Sequence, residues 1–285
     1  MIIDFHCHIL PPSFRGRHLE LTKLDATFAT LFPEAGGKAA TAESLIEAMD
    51  DAGISLSVAM GFGWENETVA REANDYLIQA VRRYPERLVG FCSVNPAWGK
   101  NRVCAEIERC AASGLKGIGE LHPDCQGFDI TDRNEMAPMM ELAKELELPV
   151  LIHTSEPVGH QYPGKGKTTP DRVYALIRNF PENTIICAHW GGGLPFYGLM
   201  PEVPAELANV YFDTAVSPFL YKRDIFVVAS RTIGADKILF ATDYPLIQHR
   251  RVIRQVEESC LDPGSKAAIL GGNAGRLLGL EKDKQ

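Results

Sequence analysis

His6 and His8 sit two positions apart at the end of an apolar run, Ile2-Ile3-Asp4-Phe5-His6-Cys7-His8. Such a run reads as a buried strand. Side chains alternate along a strand, so the two imidazoles share a face about 7 Å apart. Two neutral imidazoles on one face can close on a single divalent ion such as zinc, iron or nickel. Taken alone, the pair is equally compatible with two ordinary hydrogen-bonded histidines. It stands out because other strand-like runs end in the same kind of residue, at Glu120, His153, His189 and Asp243. Each is a metal-ligand or acid–base type, and four of the eight histidines fall on these ends.

The elements that position these groups follow from hydrophobic patterning. Apolar runs at 54–60, 87–95, 115–121, 149–153, 184–189, 210–214 and 237–243 read as further strands, giving eight with the first. Helical patterns separate them, at 41–51 with Thr41 as N-cap and Gly53 as stop, and at 67–84, 101–112, 133–146 and 170–179. The repeat is roughly 30 residues, the length of one βα unit. The runs are near-continuously apolar, as parallel strands covered by helices require. Strict alternation to eight predicts an α/β chain folded as one (β/α)8 TIM-type barrel domain over 1–285. An open doubly wound sheet is the second choice, and the first strand lacks a Gly-x-Gly-x-x-Gly turn for a dinucleotide. In a barrel of this kind the C-terminal strand ends form the active site. Two long connections, 11–40 with Gly36-Gly37 and 154–169, read as irregular, lid-like loops.

Other candidates are looser. Lys165 and Lys167 bring positive charge to the 154–169 loop and are candidates for contact with an anionic substrate. Trp64, Trp190, Phe219 and Tyr244 read either as an apolar wall for substrate or as barrel packing. Arg15, Arg17 and His18 read as solvated, His249 as surface, and His122 as a support beside the site. Cys7 points away from its histidine neighbours and reads as packing.

Composition sets the outer bounds. The chain is 45% hydrophobic and 23% charged, enough for a sizeable core. A net charge of −8 argues against nucleic acid and anionic membranes as partners, while leaving room for a small anionic substrate. Seven scattered cysteines without a Cys-x-x-Cys favour reduced thiols and a cytoplasmic setting. No run is long enough to span a bilayer, and no leader pattern opens the chain. The sequence leaves oligomeric state open, a homo-oligomer included.

Together these residues resemble the amidohydrolase superfamily, and within it the branch related to aminocarboxymuconate semialdehyde decarboxylase. The resemblance rests on Asp4-Phe5-His6-Cys7-His8, on 90–96 (Gly-Phe-Cys-Ser-Val-Asn-Pro), on Val150-Leu151-Ile152-His153, on 186–192 (Ile-Cys-Ala-His-Trp-Gly-Gly) and on 240–245 (Phe-Ala-Thr-Asp-Tyr-Pro). It implies that His6, His8 and Asp243 ligate a metal, with His153 as a further ligand. It implies that His189 binds a second ion or acts on the substrate. Glu120 stands where two-metal members carry a bridging carboxylate and where many relatives in this branch read Lys-Leu-His-Pro. This chain reads Glu-Leu-His-Pro, so Glu120 is either a bridge or a carboxylate orienting a histidine. Zinc is the first expectation for the ion, with manganese and iron compatible, as one ion or two.

The leading expectation is a metal-dependent hydrolase of a small carboxylic ester, lactone or amide. Metal-bound water would attack the carbonyl, Asp243 would shuttle the proton, and His189 would polarise the carbonyl. The alternative is a non-oxidative decarboxylase of an unsaturated or aromatic acid. A catalytically silent, metal-stabilised binding protein is the third.

Overall fold

The computed structural model describes residues 1–34, 37 and 39–280. Eight strands, β1 (Ile3–His8), β2 (Leu56–Met60), β3 (Leu88–Cys92), β4 (Gly117–Leu121), β5 (Val150–Ile152), β6 (Ile185–Cys187), β7 (Val210–Asp213) and β8 (Ile238–Leu239), pair in parallel and in sequence order. The first and last segments meet through Phe5 N–H to Phe240 O at 2.8 Å, Asp243 N–H to His6 O at 2.9 Å and His8 N–H to Tyr244 O at 2.7 Å. The result is a (β/α)8 TIM-type barrel.

Helices α1 (Ala42–Ala52), α2 (Glu67–Arg83), α3 (Lys100–Ala112), α4 (Arg133–Glu145) and α5 (Pro170–Asn179) follow the first five strands. Helices α6 (Ile225–Ile233) and α7 (His249–Glu257) follow β7 and β8. Thr41 caps α1 with a reciprocal capping box to Ser44, and Gly53 ends it at φ 72°. After β6 the chain makes only short turns of helix, at Leu194–Leu199 and Val203–Glu206. The stretch 11–40 departs from expectation. It holds short helices at Ser13–Gly16, His18–Leu24 and Ala26–Leu31, whose Phe14, Leu21 and Phe28 are buried. Gly36 of the expected Gly-Gly pair lies outside the described residues.

Two bulges decide what faces inward. Ile3 and Phe5 belong to the apolar cluster inside the barrel, whereas Cys7 packs with the outer layer under the helices. Pure alternation from Ile3 and Phe5 would turn Cys7 inward and His6 and His8 outward. A register shift between Asp4 and Cys7 turns His6 and His8 inward instead. A second shift, between Ile118 and Leu121, presents Glu120. Here Gly119 sits at φ 141°, and a Cβ on it would lie 2.6 Å from Leu151 O, so only glycine fits.

No helix among the described residues is long and apolar enough to cross a membrane.

Candidate active site

The strand ends carry their polar side chains to one buried centre. His6, His8 and Asp243 offer donor atoms within 4.8 Å of one another, and so do Glu120, His153 and His189. Glu120 lies between the triads. Its Oε2 is 3.6 Å from Nε2 of both His6 and His8. Its Oε1 is 3.0 Å from His153 Nδ1 and 3.3 Å from His189 Nε2. Asp243 Oδ1 lies 3.1 Å from His8 Nε2. Asp243 and His189 hold left-handed backbone, at φ 63° and 54°, a conformation that side chains other than glycine rarely adopt. Such conformations cluster at functional sites.

The hydrogen bonds around the centre set its proton inventory. His8 Nδ1 is 2.8 Å from Gly61 O, which can only accept, so Nδ1 carries the proton. His6 Nδ1 is 2.8 Å from Asp213 Oδ2. In the neutral rings both Nε2 atoms are then bare lone pairs, yet they lie 3.0 Å apart with the Asp243 carboxylate beside them. Three acceptors facing one another without a proton between them fit a bound cation. Without a cation the same carboxylates favour a proton there instead: burial opposes charge on His6, but Glu120 and Asp213 outweigh it and raise its pKa well above the usual imidazole range. Burial likewise opposes charge on Glu120, and His6 and His153 overcome it and hold the carboxyl well below its usual value. In His189 burial is outweighed by the bond from Glu120, and the pKa rises to about 9.

Above this floor opens a cavity of about 510 Å³, walled by Leu31, Phe32, Phe62, Pro163, Val216, Phe219, Leu220, Pro245 and Leu246. Phe62 stacks on His8 with ring centroids 3.9 Å apart. His122 also lines it, stacked 4.1 Å from His153, with Nε2 3.0 Å from Gly164 O. Burial and the neighbouring His153 push its pKa down to about 3.

Several candidates are directed elsewhere. Trp190 is fully buried, donating to Ser217 and packing edge-on against Phe226, and does not line the cavity. The left-handed turn at 189–190 sends His189 inward and the indole outward. Tyr244 donates to Ser44 O at 3.1 Å and stacks on His249, again away from the cavity. Lys165 turns back onto its own loop, bonding Val158 O at 2.7 Å and His160 O at 3.0 Å. Lys167 is exposed and held through its backbone, the N–H by Asp124 and the carbonyl by Thr169. His249, expected at the surface, is 1% exposed because it packs beneath Tyr244, 3.4 Å from Asp4.

Asp213 was not among the sequence candidates. It bonds His6 through Oδ2 and accepts the backbone N–H of His189 and Ala215 through Oδ1, at 2.8 and 3.0 Å. An ionisable residue closing the seventh strand was the available signal. Asp4 plays a similar part outside the barrel wall, accepting from His6 N, Thr242 N and Thr242 Oγ1.

The sequence pattern of the amidohydrolase family matches residues 3–280. The chain belongs to that family. A gamma-resorcylate decarboxylase from Polaromonas sp. (strain JS666 / ATCC BAA-500) is 27% identical over 262 residues, 76% of this chain and 78% of that protein. A 2-amino-3-carboxymuconate-6-semialdehyde decarboxylase from Dictyostelium discoideum is 26% identical, over 76% of this chain and 68% of that protein. Among solved structures, 5-carboxyvanillate decarboxylase from Novosphingobium aromaticivorans DSM 12444, complexed with manganese and 4-hydroxy-3-methoxy-5-nitrobenzoic acid, superposes with a TM-score of 0.81. Its identity is 19%, with 98% of this chain and 96% of that chain covered. All three relatives are named as decarboxylases, which overturns the expectation of an ester, lactone or amide hydrolase. Imidazole and carboxylate donors around a divalent ion serve both reactions, so the donor residues alone could not separate them. Zinc was the first expectation for the ion, whereas the metal in the solved relative is manganese.

Proposed function

We propose that this amidohydrolase-family chain is a divalent-metal-dependent, non-oxidative decarboxylase of a small aromatic or unsaturated carboxylic acid. The observation that carries the reading is the arrangement of one cavity. A floor of facing acceptors, His6, His8, Asp243 and Glu120, lies beneath apolar walls wide enough for a ring. Decarboxylase relatives from two branches of the tree of substrates support it.

His6, His8 and Asp243 would hold the ion, with Glu120, His153 and His189 completing its surroundings or holding a second one. A divalent cation bound there supplies positive charge for the substrate carboxylate and for the negative charge that builds on the ring as carbon dioxide leaves. The residues do the rest. The walls, with Phe62 flat against His8, keep the ring oriented and water away from it. In the reaction the bond between ring carbon and carboxylate breaks, its electron pair stays on the carbon, and a proton takes the place of the departing carbon dioxide. Asp243, whose side chain is 14% exposed, is the member of the His6–His8–Asp243 triad most open to the cavity; resting as a carboxylate, it takes a proton from solvent water, leaving hydroxide, and passes that proton to the ring carbon. His189 steadies the negative charge from Nε2.

The test is carbon dioxide release by manganese-loaded protein offered hydroxybenzoates and short unsaturated acids. Release with formation of the protonated product is expected. Protein that retains its metal and releases none from any of them would overturn the reading.

A further inference from the structure

We propose that the cavity selects for a single carboxylate, so that its substrate is a monocarboxylic aromatic acid and a ring bearing a second anionic group is turned away. The inference rests on the proposed function and adds the charge class of the substrate.

It comes from where charge is placed. Two carboxylates, Glu120 and Asp243, already stand at the cavity floor. A single divalent ion held among them would be balanced by those two negative charges, leaving no positive excess at the floor beyond what one substrate carboxylate uses. A second carboxylate on the ring has to lie among the walls. Those walls are Leu31, Phe32, Pro163, Val216, Leu220 and their apolar neighbours, and no lysine or arginine of the described residues lines the cavity. An ionised group placed there loses its water without meeting a lysine or arginine.

Lys165 and Arg251 are committed elsewhere. Lys165, on the covering loop, spends its ammonium on two carbonyls of that loop and on the face of Tyr162. Arg251 lies over the Phe219 ring, 4.9 Å from its centroid, and does not line the cavity. The hydroxyl of Tyr162, which does line it, is bonded to Glu156 at 3.1 Å. His160, the other polar residue of this loop in the lining, packs beside the Tyr162 ring with centroids 5.5 Å apart.

Three probes separate charge from size. Salicylate carries one carboxylate, hydroxyisophthalate carries two, and the carboxamide of the latter has its outline without the second charge. Calorimetric titration into manganese-loaded protein is expected to give the carboxamide a Kd within about threefold of salicylate, and hydroxyisophthalate one at least about thirtyfold weaker. Leu220→Arg, which puts a guanidinium at the wall, is expected to recover about tenfold of that loss. A dicarboxylate that binds the wild type as well as salicylate overturns the proposal. Equal rejection of dicarboxylate and carboxamide overturns it too, because size would then be the cause, as does failure of all three to bind. Carbon dioxide release, measured alongside, reports on the decarboxylase reading separately. Charge selection in binding without release sinks that reading and leaves the selection standing.

Discussion

Asp213 reaches both donor triads at once, with Oδ2 2.8 Å from His6 Nδ1 and Oδ1 2.8 Å from the backbone nitrogen of His189. It fixes the tautomer of one ring and the backbone position of the other. A carboxylate behind a metal-bound histidine orients the ring and raises its basicity. Asp213→Asn is expected to weaken manganese binding by about 10- to 100-fold, read by competition with a chelating dye. Unchanged affinity would mean that His6 needs no such support.

Asp243 stands at the end of the last strand, outside the apolar core, so its loss removes chemistry more than packing. Asp243→Asn is expected to lower turnover by about 1,000-fold while the circular-dichroism spectrum and melting temperature stay near wild type. Near-normal turnover would remove Asp243 from the proton-transfer step.

Glu120 touches four histidines from one carboxylate. Protein purified without chelator is expected to hold at least one divalent ion per chain by elemental analysis, and Glu120→Gln to hold less. An equal content in the variant would show that Glu120 is not a ligand.

Lys165 is occupied by its own loop. Lys165→Met is therefore expected to change KM by less than about threefold, because the ammonium meets no substrate charge. A large rise in KM, with kcat unchanged, would place that ammonium on the substrate after all.

Far from the site, Glu106 gives the fold a pH dependence. It is 7% exposed, and burial alone would raise its pKa, but bonds from Arg109 and Asn74 bring it below the ordinary 4.5. A depressed folded pKa means that the stabilisation is present above that ordinary value and is lost as pH falls through the folded one. Glu106→Gln is expected to cost about 2 kcal/mol at neutral pH in urea denaturation. That difference should shrink in acid, and a difference independent of pH would contradict the sign.

The barrel was legible because parallel strands covered by helices are apolar throughout, and eight such runs, each closing on a turn or polar residue, recur at βα spacing. The convergence of His6, His8, Glu120, His153, His189 and Asp243 was legible for the same reason, since strand ends in this fold face one place. Facing direction was less so. The inward turn of His6 beside an inward Phe5 depends on a bulge, and a one-residue shift leaves no mark on an apolar run. Trp190 stayed open between substrate wall and barrel packing because the left-handed turn that separates it from His189 is set by tertiary packing. The helices within 11–40 were missed because each is about a turn or two long, too short for a periodicity to show. Hydrolysis and decarboxylation share their donor residues, so the choice between them came from relatives.

The seam where Asp4 accepts from Thr242 joins positions 238 apart in the chain, and the candidate donors His6, His8 and Asp243 straddle the same seam. A growing or partly folded chain thus presents His6 and His8 without Asp243, and has no complete nest to offer. If these residues hold the ion as proposed, metal uptake would be the final step of maturation, and loading would report that the ring of strands has closed. Chains that stall short of closure remain both empty and distinguishable, which makes the rate of metal capture during refolding a direct clock for the arrival of the last strand.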